Sequence, residues 1–334
     1  MTTTSSARIP SGTTGHPQSR DLPSDPAGWY ALAFSQELRP GAVQPVRLAG
    51  RDLVLARLRS GTLMAAHAHC PHLGAHLGYG GTVQDEQLRC PFHGLTFDPT
   101  SGKCTSSRAP ARMALTTVPV AEQHGVILGW HHWADTEPGW RVGELDMTGW
   151  TPWRTRTFTL RGHPQETSEN SVDLLHFADV HGYRDVQVIE RCLINGHQLR
   201  TAYQVRRAMP LLPRGIPLEF TAVVEGLGHS TVHVRLPTGL HLRLLVLSTP
   251  LDNERIQLRL ALSTRAGTWP LPSAVRRFVG ELAARASLRS FVSDVHQDIP
   301  IWRHKAYLRG PLLIEGDGPI GPYRRWARQF YRPE

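Results

Sequence analysis

The chain has 334 residues, of which 40% are apolar and 19% charged. That is apolar material for two ordinary domains at about 150 residues each, and a charge content too low for wholesale disorder. The formal net charge of +9 can signal nucleic acid, but the basic residues are scattered apart from short pairs such as Arg324 and Arg325, so we read a basic surface without a nucleic-acid partner.

No stretch approaches the ~18 consecutive apolar residues of a transmembrane segment, and none is expected. Residues 1–27 are rich in Thr, Ser, Gly and Pro and lack the apolar run of a secretory signal. We expect a disordered tail on a soluble, cytoplasmic protein. In that setting the four cysteines, Cys70, Cys90, Cys104 and Cys192, point to metal ligation before disulfides. Cys104 and Cys192 receive no role.

The folded part is expected to begin at Gly28. Short β-type runs follow, such as Val46-Arg47-Leu48, Leu53 to Ala56 and Gly125 to Leu128, separated by Gly, Pro and Asp. They predict a small all-β domain over residues 28–140, closed by a surface connection at residues 134–139. Inside it lie Cys70-Pro-His72 and Cys90-Pro-Phe-His93, seventeen residues apart. Each half offers one thiolate and one imidazole, followed by a glycine, Gly74 or Gly94, that lets the loop turn tightly. A Cys2His2 zinc site is the alternative, but zinc pairs usually leave two or more residues between ligands. Two thiolates on one iron and two imidazoles on the other are the ligands of a Rieske [2Fe-2S] cluster. Leu73 and Phe92 are expected to shield its sulfur atoms, and His67, His69 and His76 are read as solvated loop histidines.

Residues 141–334 read as an α+β domain, an antiparallel sheet flanked by helices. A helix is expected from Glu169 to Val180, and it carries Asn170, Asp173 and His176, with His181 just beyond. Asp173 and His176, three apart, share a face of that helix. His176 and His181, five apart, meet at one ion only if the helix ends or bulges between them, and Gly182 is placed to end it. Strands are expected at Phe220 to Val224, Ser230 to Leu236, Leu240 to Ser248 and Arg255 to Ser263. In the last, Ile256, Leu258, Leu260 and Leu262 form the buried face and Gln257 and Arg259 the polar one. A second helix is expected after Pro272, with Val275, Phe278, Val279 and Leu282 as its core-facing stripe. Further along, Phe291, Val295 and Asp298 are spaced to put a carboxylate on an apolar face, where an ion is a reasonable partner. Two histidines and one carboxylate make the facial triad of a non-haem Fe(II) site with open positions. Asp294 competes with Asp298 for the third place.

Residues Gly28 to about Ala134 resemble the Rieske domain of aromatic-ring-hydroxylating and steroid-modifying oxygenases. Cytochrome-complex Rieske proteins carry an extra cysteine in each half-motif and a serine after the second; here those positions are Ala75, Phe92 and Leu95. Fewer donors to the cluster imply a lower potential. The pattern Asn170, Asp173, His176, His181 is similar to the N-x2-D-x2-H-x4-H signature of the catalytic domains, which implies a third ligand at Gln297-Asp298. It also implies that Asp173 links His176 to a cluster histidine, His72 or His93, of a neighbouring subunit in a homotrimer, with Asn170 on the same path.

Gly28 to Phe34, His163 to Glu166, Asp298 to Lys305 and Asp317 to Tyr331 are similar to one subgroup, the cholesterol 7-desaturases and the oxygenase component of 3-ketosteroid 9α-hydroxylase. This resemblance spans almost everything from Gly28 to Tyr331. It implies a [2Fe-2S] cluster, a mononuclear Fe(II), an NAD(P)H-dependent reductase acting directly or through a ferredoxin, and O2. It further implies hydroxylation or desaturation of a small apolar multi-ring substrate such as a sterol or ketosteroid. A tailoring oxygenase of secondary metabolism, a sterol demethylase and a Rieske electron carrier without catalysis are the alternatives.

Overall fold

The computed structural model describes residues 26–209, 212–267 and 272–333. The tail expected over residues 1–27 lies outside them except for its last two residues. Those two are buried rather than loose, and the Ala27 amide donates to the Phe330 carbonyl at 2.6 Å.

Three antiparallel sheets follow. Gly28–Phe34 pairs with Val126–His131, which pairs with Val120–Gln123. Val43–Leu48, Arg51–Arg57, Leu63–His67 and Thr117–Val118 form a four-stranded sheet. Thr82–Gln84, Gln87–Arg89 and Thr96–Phe97 form a small third one. Val54, Met64, Leu88 and Phe97 bury their side chains in one core, and Tyr30, Leu38, Leu55 and Ile127 in a second. The short, alternating strands close on these two cores, as an all-β unit must. Residues 132–153 then carry neither helix nor strand.

A single seven-stranded antiparallel sheet dominates the rest. It meanders from Arg184–Asn195 through Gln198–Met209, Leu212–Glu225, His229–Arg235 and Leu240–Pro250 to Arg255–Ala266, and Arg154–Arg161 is added beyond the last strand. The four strands read from the sequence lie within it; the first two strands of the meander do not show in the sequence pattern. Four helices accompany the sheet: α1 (Pro164–Glu169), α2 (Leu174–Asp179), α3 (Ser273–His304) and α4 (Ile320–Ala327).

Three sequence expectations change. First, Arg259 is not on a solvated face. Ile256, Leu258, Leu260 and Leu262 are fully buried as expected, but Arg259 is only 5% exposed. The sheet built on Gly28–Phe34 and Val126–His131 covers that side, where Leu245, Leu247 and Ala261 meet Trp29, Ala31 and Phe34. The Arg259 guanidinium donates to the carbonyls of Ala31 and Leu32, and Thr249 Oγ1 to that of Ala31. These bonds pin the two halves together. Burial pushes Arg259 down to about 10, so it stays cationic at neutral pH.

Second, the stripe Val275, Phe278, Leu282 on α3 faces outward, with Phe278 64% exposed. The buried positions are Gly280, Ala284, Leu288, Asp294, Val295, Asp298 and Trp302. Size decides this more than hydropathy. The helix lies so close to the sheet that a Cβ on Gly280 would sit 3.2 Å from Thr151 Cγ2, and Thr264 Oγ1 donates to the Gly280 carbonyl at 2.7 Å.

Third, the helix expected from Glu169 to Val180 is two short helices broken at Asn170–Asp173. The whole of α1 is buried, and α4 holds it. Tyr323 Oη donates to the Gln165 carbonyl, Tyr331 Oη to Gln165 Oε1, and Arg324 grips the Glu169 carboxylate with two bonds of 2.7 and 2.9 Å. Two segments that carry the subgroup resemblance, His163 to Glu166 and Asp317 to Tyr331, therefore meet in space. Removing one partner of a buried ion pair strands the other. Arg324→Ala, which leaves Glu169 only Lys305 at 3.9 Å, is expected to lower unfolding free energy by about 3 kcal/mol in urea titration, and Arg324→Lys by clearly less.

Candidate metal centres

The loops around Cys70 and Cys90 are one turn built twice. In the first, the Cys70 amide donates to the Ala75 carbonyl (2.8 Å) and the Gly74 amide to that of Cys70 (2.9 Å). In the second, the Cys90 amide donates to Leu95 (2.8 Å) and the Gly94 amide to Cys90 (3.2 Å). Gly74 and Gly94 take φ of +76° and +67°, which only glycine adopts without strain. Each turn drops its cysteine into the core and lifts its histidine to the rim. Cys70 and Cys90 are 3% and 1% exposed, while the rings of His72 and His93 lie near the surface 4.7 Å apart. Burial pushes the Cys70 thiol up, and the adjacent Cys90 thiol adds to this. Two neighbouring thiols beneath two neighbouring imidazoles fit a cluster with one iron on each pair. Leu73 and Phe92 stand exposed at the rim, the Phe92 ring 3.8 Å from that of His93. His69 and His76 contact each other, and His76 Nδ1 accepts from the Gly78 amide.

The second group comes from two helix ends and one helix face. Asp173 has left helical geometry (φ −85°, ψ 104°) and caps α2, its Oδ1 accepting the His176 amide at 3.2 Å. It is the cap of the helix, not a member of the shared face expected from its spacing. At the other end, the Tyr183 amide returns to the Phe177 carbonyl and the Gly182 amide to Ala178, with Gly182 at φ +67°. The Gly182 bond is that of the αL stop, with glycine in the left-handed position, and the Tyr183 bond closes a wider loop behind it. Together they fold the chain back so that His181 Nε2 sits 3.0 Å from His176 Nε2. Asp298, on α3, places Oδ1 3.4 Å from His181 Nε2 and 3.9 Å from His176 Nε2.

These three are the one group of His, Cys, Asp or Glu among the described residues whose ligand atoms all lie within 4.8 Å of one another. Ligands about 2.1 Å from one ion and at right angles are about 3 Å apart, so the spacing suits a divalent ion. The rings are turned to present Nε2. His176 Nδ1 lies 3.0 Å from the Asp173 carbonyl and His181 Nδ1 2.9 Å from Gln297 Oε1, contacts that fix the tautomer with the proton on Nδ1. Burial lowers His176 to about 4, so its imidazole is neutral and free to donate its lone pair. Burial, and then the Asp294 carboxylate, push Asp298 up to about 7, and the Asn170 side chain opposes them by hydrogen bonding. Asn170 therefore serves Asp298. Asp294 stands apart, bonded to Arg207 and Tyr183. Gln297 and Arg207 are partners that no spacing in the sequence marks.

The group opens onto a cavity of about 790 Å³, counting its open mouth. Its walls are mostly apolar, with Phe177, Tyr203, Phe220, Phe291 and Trp302 prominent. A cavity with so little polar surface suits a small apolar molecule.

The Rieske [2Fe-2S] domain family matches residues 28–120, and the family described as 3-ketosteroid 9α-hydroxylase C-terminal domain matches residues 129–331. The chain belongs to that 3-ketosteroid 9α-hydroxylase family. It is an oxidoreductase of the Rieske non-haem iron oxygenase class, and its Rieske domain accounts for a [2Fe-2S] cluster. A cholesterol 7-desaturase of Hemicentrotus pulcherrimus is 29% identical, the match covering 94% of this chain and 71% of the relative. A probable 3-ketosteroid-9-alpha-monooxygenase, oxygenase component, of Rhodococcus rhodochrous is 27% identical over 91% of this chain and 79% of its own length. Among solved structures, dicamba monooxygenase bound to 3,6-dichlorosalicylic acid superposes with TM-score 0.69 at 18% identity, covering 91% of this chain and 96% of that one. Pseudomonas putida CBB5 NdmA with caffeine gives 0.67 at 19% identity, covering 90% and 89%. These share the fold. Among the described residues no helix is long and apolar enough to cross a membrane.

Because Asp298 holds a proton below about 7, ion binding must displace it. The affinity of the group for Co(II), measured by titration calorimetry, is expected to rise about tenfold per pH unit from pH 5 to 7 and to level off above. A profile flat across that range would contradict the assignment.

Proposed function

We propose that the protein is a Rieske oxygenase component that uses O2 and electrons from NAD(P)H to hydroxylate or desaturate an apolar multi-ring substrate, a sterol or a ketosteroid. The observation that carries this reading is the convergence of His176, His181 and Asp298 on one wall of an aromatic-lined cavity. In it, those three residues hold a mononuclear iron, and Cys70, His72, Cys90 and His93 hold the [2Fe-2S] cluster. When bound, the iron supplies open coordination positions at which O2 is activated. Everything else falls to the chain. Gln297 and the Asp173 carbonyl orient the two imidazoles, Asn170 steadies the Asp298 carboxylate, and the aromatic walls exclude water and hold flat rings against the site. The names of the two relatives, one a sterol desaturase and one a ketosteroid monooxygenase, support the substrate class.

Asp173 keeps Oδ1 on the His176 amide, and in this reading its other oxygen meets His72 or His93 of a neighbouring subunit. The assembly is then a ring, a homotrimer, with each cluster serving the iron of the next subunit. An NAD(P)H-dependent reductase in the cytoplasm, alone or with a ferredoxin, supplies the electrons, and the net charge of +9 favours an acidic donor. The connection around residue 140 divides the cluster domain from the catalytic one.

Metal analysis with a visible spectrum tests the reading. About three irons per chain are expected when both centres are filled. His176→Ala is expected to retain two irons and the cluster spectrum while product formation falls at least about 100-fold. Cys90→Ser is expected to bleach the protein. Two irons in the unaltered protein would mark an electron carrier, and a colourless zinc protein would overturn the reading outright. Product analysis over a steroid panel separates sterol, ketosteroid and other substrates.

A further inference from the structure

One wall of the cavity carries a polar device that ligation does not use. Tyr183 and Asp294 both line the cavity, beside Asp298 and His181. Arg207, on the strand Gln198–Met209, approaches them from behind and does not line it. Its Nη1 donates to Tyr183 Oη at 2.8 Å and its Nη2 to Asp294 Oδ1 at 2.8 Å, and Tyr183 Oη donates to Asp294 Oδ2 at 3.1 Å. Three hydrogen bonds close a ring, and the guanidinium also lies 5.2 Å from the centre of the Tyr183 ring.

The donor and acceptor inventory of this ring is one-sided. A carboxylate accepts only, with about four lone-pair sites, and a phenol has one hydrogen and two acceptor positions. Tyr183 spends its hydrogen on Asp294, and Arg207 spends its own on the two oxygens behind. What the ring keeps for the cavity is acceptors: the second lone pair on each Asp294 oxygen and one on Tyr183. A ketone brings another acceptor to these atoms and gains nothing, whereas a hydroxyl brings the missing hydrogen. The ring is also anchored at three elements, the end of α2, the sheet and α3, so the acceptors are fixed in place before any ligand arrives.

We propose that Asp294, held by Arg207 and Tyr183, is the residue that orients the substrate, and that the polycyclic substrate is an alcohol whose hydroxyl lies on the side of the molecule facing the iron ligands. This rests on the proposed function and narrows it from sterol or ketosteroid to the hydroxylated class. Hydrogen bonds to a charged acceptor set the expected preference at about 10- to 100-fold.

The test measures equilibrium binding by quenching of tryptophan fluorescence, with no turnover required, since Trp302 lines the cavity. The probes are matched trios of androstane carrying a hydroxyl, a ketone or only hydrogen at carbon 3 or carbon 17. In at least one trio the alcohol is expected to bind about 10- to 100-fold more tightly than the ketone and the hydrocarbon. Asp294→Asn, checked for intact folding by its melting curve, is expected to shrink that ratio to about threefold or less, because the amide offers a donor as well as an acceptor. A purely structural Asp294 would alter all three affinities together and leave the ratio standing. Binding without preference for the alcohol, or a preference that survives Asp294→Asn, overturns this inference alone. Absence of binding by every probe overturns it together with the substrate class proposed above.

Discussion

A carboxylate cannot stay ionised beneath a layer of aromatic rings unless positive charge stands next to it. The cavity holds two such carboxylates and satisfies them by different means. Asp294 has Arg207 at 2.8 Å. Asp298 faces two imidazoles, one of them held neutral by burial, and has the Asn170 side chain as a hydrogen-bond donor where Asp294 has a guanidinium. A divalent cation resolves all three requirements at once, because it compensates the carboxylate and uses both imidazoles as they stand. The rest of the catalytic half is arranged to keep that unbalanced group in place.

The arrangement relies on helix ends. An unbroken helix from Glu169 onward would point His176 and His181 to different sides. The break at Asn170–Asp173 and the glycine stop at Gly182 give instead a two-turn helix whose capping residue and exit both bend toward the same spot. So short a helix has little stability of its own. It is held by what surrounds it: α1 is locked by α4 through Arg324 and Tyr323, and α3 presents Gln297 and Asp298 from the far side. Helix α4 thus acts on the site without touching it.

How much of this was legible in the sequence depended on distance along the chain. The cluster loops were legible because their ligands and glycines are local, and the same turn repeats. The His176–His181 pair was legible as a condition, that the helix must end or bulge between them, and it does end there, at Asp179, with Gly182 completing the stop. The strands with clean alternation were legible too. Arg184–Asn195 was not, because it is an exposed edge strand with several register shifts against its neighbour and no regular alternation to read. The outward stripe on α3 misled because hydropathy is blind to how closely a helix must approach its sheet, which here selects Gly280 and Ala284. Asp294 was marked only as a rival ligand, and its ring with Arg207 and Tyr183 was hidden for the plainest reason: a helix, a strand and a turn contribute one residue each, and only the finished fold brings them together.

The strand Arg255–Ala266 has one further implication. It is roofed by α3 on one side and by the sheet of Gly28–Phe34 on the other, and even its central Arg259 is spent on backbone carbonyls of Ala31 and Leu32. An ordinary sheet strand offers evolution a permissive side, where every second position drifts freely. From Leu258 to Thr264 this one offers none, since every residue is buried and alternate residues answer to different neighbours. Sequence variation among relatives should therefore bypass it and gather instead at the outer edge of the meander, making this strand a slow clock inside a faster-changing protein.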